Sequence, residues 1–247
     1  MGRNRNTQVY MKEETSIQSS CFALTSNDLL CRPSWKPRAL DLFCKAGGVS
    51  VGLERAGFDV TGVDIEPQPR YPFRFVCADA LDLDLSGYDF LWASPPCQLF
   101  TTFKHLTTKI YQDLIEPIRA KLKASGKPYI IENVPGAPLQ NPVTLCGAMF
   151  GLRVYRHRLF ESNIELKEPI HPLHLQATVK CGRKPKPGDF VSIAGNVSDV
   201  KYCGRAMGIT WMSQSEIGEA IPPAYSEFLA HQVLDYFEMR NFKQHAA

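Results

Sequence analysis

The feature that most constrains this chain is a series of short apolar segments that alternate with helix-forming stretches between residues 39 and 131. Ala39 to Phe43 reads as a buried strand, followed by the turn Lys45-Ala46-Gly47-Gly48 and a helix from Ser50 to about Ala56. That helix stops at Gly57, because glycine adopts the left-handed conformation that closes a helix. Further strands are expected at Phe58 to Val63, Phe73 to Val76, Tyr88 to Trp92 and Lys127 to Ile131, with a second helix over about Lys109 to Lys123. Such alternation predicts an α/β fold with a doubly wound, mostly parallel sheet covered on both faces. Ligands in these folds sit beyond the carboxyl ends of the strands. The residues just after each strand therefore carry the functional information.

Those positions hold ligand-type residues. The turn from Phe43 to Gly48 opens a helix, where backbone N–H groups can meet an anionic group. Asp64 ends the second strand, where a carboxylate can take both hydroxyls of a ribose. Asp79 follows the third strand, within reach of an adenine amino group. Three such residues at three consecutive strand ends predict a nucleoside cofactor. The strongest signal is Ala93-Ser94-Pro95-Pro96-Cys97-Gln98, after the strand that ends at Trp92. Two prolines fix the backbone just ahead of Cys97, the rigid placement that a cysteine nucleophile requires. Glu132 stands at the next strand end, placed to hold a proton against a ring nitrogen.

These residues, in this order, resemble the DNA cytosine-5 methyltransferase family, and the likeness runs from about residue 38 to 230. It is carried by Asp41-Leu42-Phe43 with Gly47-Gly48, Pro96-Cys97-Gln98, Glu132-Asn133-Val134, Arg156-His157-Arg158, Arg205-Ala206-Met207-Gly208 with Trp211, and the stretch Gly218 to Pro223. The compact spacing is similar to the short members encoded by bacteriophages. The resemblance implies a Rossmann-like methyltransferase fold, S-adenosylmethionine as cofactor, DNA as partner and a cytosine flipped out of the duplex. Catalysis would fall to Cys97, Glu132, Arg156 and Arg158, with Cys97 adding to C6 of the base, Glu132 holding N3, Arg158 at the pyrimidine oxygen and Arg156 steadying the loop. Cofactor contacts would come from Phe43, Lys45, Gly47, Gly48, Asp64, Ile65, Asp79, Pro95 and Glu219. Substrate contacts would come from Pro96, Gln98, Asn133, Val134 and Lys104, the last on a loop from Phe100 to Ile110 that also bears His105 and Lys109 and would close over the base.

Residues 1–37 form a polar arm expected to be largely disordered, and 38–162 the catalytic and cofactor-binding core. Residues 163–203 form a small basic insertion in the place of a target-recognition region, and 204–247 the C-terminal helices that return to the core. So small an insertion predicts loose specificity or a separate specificity partner. Lys180, Arg183, Lys184 and Lys186 suit a phosphate backbone, which gives affinity without sequence.

Departures from the family pattern raise rival readings. Lys45 stands where the family has glycine, so a carboxylated S-adenosylmethionine, transferring a carboxymethyl group to cytosine, is an alternative donor. Glu219 replaces an asparagine and Val154 a glutamine. A catalytically silent relative that binds DNA or cofactor is a further alternative, as is a free nucleotide as substrate. His171, His174, Cys181 and Cys203 match no common zinc module, so no metal is expected.

The balance of charge, a net +3 over 247 residues, permits a nucleic-acid partner without demanding one. The eight cysteines form no CxxC pair and several lie inside apolar runs, as free thiols do in a reducing compartment. The N-terminal stretch lacks an apolar segment of the signal-peptide kind, and no run of about 18 apolar residues is present. A monomer without a membrane span, in the cytoplasm of a bacterium or phage-infected host, is the expectation.

Overall fold

The computed structural model describes residues 8–10, 35–101, 111–179, 183–193, 197 and 199–245. Ten strands and five α-helices follow in the order β1 (Gln8–Tyr10), β2 (Arg38–Leu42), α1 (Gly48–Ala56), β3 (Asp59–Asp64), β4 (Arg74–Cys77), β5 (Phe90–Ala93), α2 (Ile115–Ala124), β6 (Tyr129–Asn133), β7 (Val143–Leu145), β8 (Arg158–Ser162), β9 (Thr178–Val179), β10 (Phe190–Val191), α3 (Val200–Met207), α4 (Gln214–Glu219) and α5 (Pro223–His245). Eight strands form one sheet in the order β1-β4-β3-β2-β5-β6-β8-β7. The five from β4 to β6 are parallel, and the pairs at both edges are antiparallel.

The continuous apolar character of the central strands has a direct cause: helices cover both sides. Ala39, Phe90, Trp92 and Ile130 pack with Leu53 of α1 and Tyr225, Leu229 and Val233 of α5. Their neighbours Leu40, Leu42, Leu91, Ala93 and Ile131 pack with Ile118 and Leu122 of α2. The expected doubly wound architecture is therefore the one observed. Its strand order reverses between β2 and β5, which leaves a crevice at their carboxyl ends.

Several features differ from the sequence expectations. Helix α2 begins at Ile115 rather than near Lys109, where the Asp113 carboxylate accepts from the Ile115 N–H at 2.9 Å. Strands β7 and β8 were not anticipated, because a short antiparallel edge carries little periodicity. Strand β1, from the polar arm, pairs with β4 and so extends the sheet. The short strands β9 and β10 pair in parallel as a separate ribbon. Among the described residues no helix is long and apolar enough to cross a membrane.

Helix α2 is tied to the sheet edge by a buried ion pair. Arg119 donates to both carboxylate oxygens of Glu161, at 2.7 and 2.8 Å, and to the Pro138 carbonyl at 2.8 Å. Both side chains are almost wholly buried, so deleting Glu161 leaves the Arg119 charge facing only the exposed Glu116 carboxylate. Glu161→Ala should cost about 3 kcal/mol of stability, and the double variant Arg119→Met/Glu161→Leu should recover most of it. Denaturant titration of the three proteins checks both values.

Candidate active site

The turn between β2 and α1 is built on left-handed backbone. Phe43 and Lys45 have φ of 63° and 45°, and Gly47 has φ of 84°. Side chains seldom tolerate such values, and they cluster at functional sites. A Cβ on Gly48 would stand 2.5 Å from the Ile221 carbonyl oxygen, so only glycine allows α1 to lie this close to the C-terminal segment. The amino end of α1 has no side-chain cap. It is held from far along the chain, as the Trp211 indole donates to the Ala46 carbonyl at 2.8 Å.

A cavity opens at this turn, lined on the β2 side by Asp41, Phe43, Lys45 and Gly48 and on the β5 side by Pro95, Pro96, Cys97 and Gln98. Glu132 and Val134 come from the end of β6, Arg156 and Arg158 from the approach to β8, and Glu219 from the end of α4. The structure thus gathers the four expected catalytic residues and eight of the other expected contacts around one space.

The electrostatics are those of a partly neutralised cluster. Glu132 is buried, and burial pushes its carboxyl above the ordinary range against the opposing charges of Arg158 and Arg156. Arg158 Nε lies 3.2 Å from Glu132 Oε1, and its other arm donates to the His157 carbonyl at 2.8 Å. Burial and the neighbouring Glu132 push the Cys97 thiol up, and the two arginines pull it down. Cys97 is therefore a thiol at rest. Arg156 is partly buried, and burial together with Arg158 pulls it down to about 9, so it keeps its charge at neutral pH. It donates to the carbonyls of Ile193 and Gly218, both at 2.8 Å, and so joins the insertion, α4 and the β8 approach.

Other expected residues are placed differently. Asn133 was expected at the substrate, yet it is buried. Its amide donates to the Pro95 carbonyl at 3.0 Å and its oxygen accepts from the Val134 N–H at 2.9 Å. It props the proline loop that carries Cys97. Gly47 shapes the turn and does not line the cavity. Asp64, Ile65 and Asp79 also lie outside the cavity lining, along the rim formed by β3 and β4. Asp64 accepts from the N–H groups of Lys45 and Glu66, at 3.2 and 3.1 Å. Asp79 accepts from the Leu81 N–H at 2.9 Å, and Ile65 is 58% exposed. Lys104, with His105 and Lys109 of the expected closing loop, lies outside the described residues.

No family model matches the chain. A curated relative, the Type II methyltransferase M.XorII of Xanthomonas oryzae pv. oryzae, is 31% identical over 122 residues, covering 41% of this chain and 29% of that protein. The match thus spans less than a third of the relative's length. A solved Escherichia coli structure, assigned as a DNA modification methyltransferase encoded within a prophage, superposes with a TM-score of 0.55 at 15% identity, over 82% of this chain and all of that one. The Dnmt2 methyltransferase of S. pombe gives 0.52 at 15% identity, over 84% of this chain and all of its own. Over those spans the chain is similar to methyltransferases. Its fold is that of the two solved methyltransferases.

Part of the cavity comes from residues that no local motif marks. Asp41 was read only as part of a strand motif, yet it is wholly buried beneath the cavity. Burial, with the charge of Asp64 beside it, pushes its carboxyl up to about 7, against a hydrogen bond of 2.5 Å from Ser50 Oγ. Its second oxygen has no partner. Met212, Glu216, Ala220 and Ile221 also line the cavity, brought there by the C-terminal segment.

Because the Glu132 charge raises the Cys97 thiol, Glu132→Gln removes a cause of elevation and leaves both arginines acting. The pH midpoint for alkylation of Cys97 by iodoacetamide should therefore fall in Glu132→Gln and rise in Arg158→Gln. Alkylation rates followed over a pH series check both directions, with Cys97→Ala as the blank.

Proposed function

We propose that this protein methylates cytosine at C5 in DNA, using S-adenosylmethionine and a covalent bond from Cys97 to C6 of the base. The observation that carries the proposal is the convergence of Cys97, Glu132, Arg156 and Arg158 on one cavity beside the amino end of α1. A thiol, a carboxyl biased toward its protonated form and two guanidiniums suit addition to a pyrimidine ring.

The residues present fit the cofactor. The uncapped amino end of α1 suits its amino-acid carboxylate, the orphaned Asp41 oxygen awaits a donor, and the exposed Ile65 beside Asp64 and Asp79 offers an apolar surface to an adenine. Phe43, Lys45, Gly48, Pro95 and Glu219 would complete the enclosure. When bound, S-adenosylmethionine supplies an electrophilic methyl group to the activated C5.

The chain's own residues do the rest. Cys97 gives up its proton to solvent and its sulfur bonds to C6, so the electrons of the C5–C6 double bond become available at C5. Protonated Glu132 donates to N3, where charge would otherwise develop. A proton on Glu132 also removes the charge that raises Cys97, so the form of Glu132 that binds the base is the form that favours the thiolate. Arg158 orients Glu132 and faces the pyrimidine oxygen, and Arg156 fixes the loop between them. Loss of the C5 proton and release of the thiolate then restore the ring. A duplex buries that edge of the base, so the cytosine must leave the stack. Exposed Arg183, Lys184 and Lys186 on the insertion suit the phosphates. The small insertion fits loose specificity or a separate specificity partner.

Lys45 bears on the donor. Its Nζ lies 3.9 Å from Glu219 and 4.0 Å from Glu66. Two carboxylates already face it, which favours the plain donor over a carboxylated one.

The test is the mass of deoxycytidine in nucleosides digested from the DNA of cells expressing the protein, beside Cys97→Ala. A gain of one methyl that depends on Cys97 is expected. A carboxyl-bearing deoxycytidine would instead assign donor choice to Lys45. Unmodified cytosine would overturn the proposal in favour of a silent relative.

A further inference from the structure

Away from the cavity, four side chains from three parts of the chain turn their ligand atoms toward one point. Cys146 follows β7, His157 precedes β8 between the two arginines, and His171 and His174 lie on the irregular strap that leads away from β8. One ligand atom from each lies within 4.8 Å of all the others. Cys146 Sγ and His174 Nε2 are 3.3 Å apart, and His157 Nε2 and His171 Nε2 are 3.1 Å apart. A tetrahedral zinc ion with its usual bond lengths spaces its ligand atoms by about 3.3–3.6 Å, so two pairs already stand near that spacing and the widest would draw in by up to about 1.3 Å to enclose one. We infer that Cys146, His157, His171 and His174 form a structural zinc site.

The strap itself calls for such a device. It has no helix or strand between residues 163 and 177, and Ile170, Leu173 and Leu175 are 94%, 83% and 86% exposed. Ile164 and Leu166 pack on the core at its start, but beyond them the apolar side chains are exposed, as are His171 and His174. The backbone is pinned at Lys167, whose N–H donates to the Gln232 side-chain oxygen at 2.7 Å and whose carbonyl accepts from the Gln232 amide at 3.0 Å, and further contacts flank the histidines. The Glu168 carboxylate accepts from the Thr144 N–H at 2.7 Å, and the Gln176 carbonyl accepts from the Tyr155 hydroxyl at 2.7 Å. Tyr155 also stacks on His174 with ring centroids 3.6 Å apart, which fixes that imidazole. A thiolate with three imidazoles selects zinc among common divalent ions. Four protein ligands close the coordination sphere, so the role is structural rather than catalytic. Binding displaces the proton of the Cys146 thiol to solvent. The ion would staple the strap to the sheet edge and, through His157, to the loop that carries Arg156 and Arg158.

Sequence reading paired His171 and His174 with Cys181 and Cys203 and dismissed the set. Cys203 lies instead in an apolar cluster with Val197, Met207 and Ile209, and Cys181 is outside the described residues. The missing ligands were a cysteine and a histidine from the sheet edge.

Metal content of the full chain, purified without added chelator, tests the inference. About one zinc per chain is expected in the native protein and in Cys97→Ser, falling at least about tenfold in His171→Ala/His174→Ala. Those histidines are on the surface, so the double variant keeps its fold, which circular dichroism checks. Cobalt(II) added to metal-stripped protein should give a thiolate-to-metal absorption band that Cys146→Ser abolishes. A native chain that neither carries zinc nor gives that band would overturn the inference and leave a hydrogen-bonded cluster. Unchanged zinc in the double variant would overturn it equally.

Discussion

The site depends on one contact, the close approach of α1 to a segment well over a hundred residues later in the chain. Gly48 admits the Ile221 carbonyl, Trp211 holds the Ala46 carbonyl across 165 positions, and the Ser226 hydroxyl donates to the Val49 carbonyl across 177. Arg156 extends the same contact by gripping Gly218. Without it, the turn after β2 would lose its wall and the cavity would open into a groove. The C-terminal helices are thus the far side of the site.

Within that frame the charges are balanced rather than neutral. Glu132 and Cys97 share the field of Arg156 and Arg158, and only one of the two acids is comfortable as an anion. That competition gives a resting thiol and a route to a thiolate when Glu132 keeps its proton. Asn133 contributes at one remove, by fixing the proline loop through its carbonyl. Rigidity here comes from two prolines and a buried amide.

Much of this was legible in the sequence because strand ends fall next to short motifs. Asp41-Leu42-Phe43, Pro96-Cys97-Gln98 and Glu132 each lie at or just beyond the carboxyl end of a strand whose apolar character announces it, and a parallel sheet places those ends together. Residues without a local signal were not legible. Met212 and Ile221 reach the cavity through packing of the C-terminal segment, and Asn133 looks like a ligand until its hydrogen bonds are known. The edge strands β7 and β8 escaped because three to five residues in an antiparallel edge have too little pattern. The gathering of Cys146 with three histidines depends on that edge, so it was invisible for the same reason.

The central claim is that Cys97 attacks C6 of a cytosine in DNA. Its most direct test is trapping with a duplex that carries 5-fluorocytosine, in the presence of S-adenosylmethionine. Fluorine cannot leave as the C5 proton does, so the thioether persists. The account predicts a denaturation-resistant protein–DNA adduct whose linked peptide contains Cys97. No adduct, or one through another residue, would contradict it.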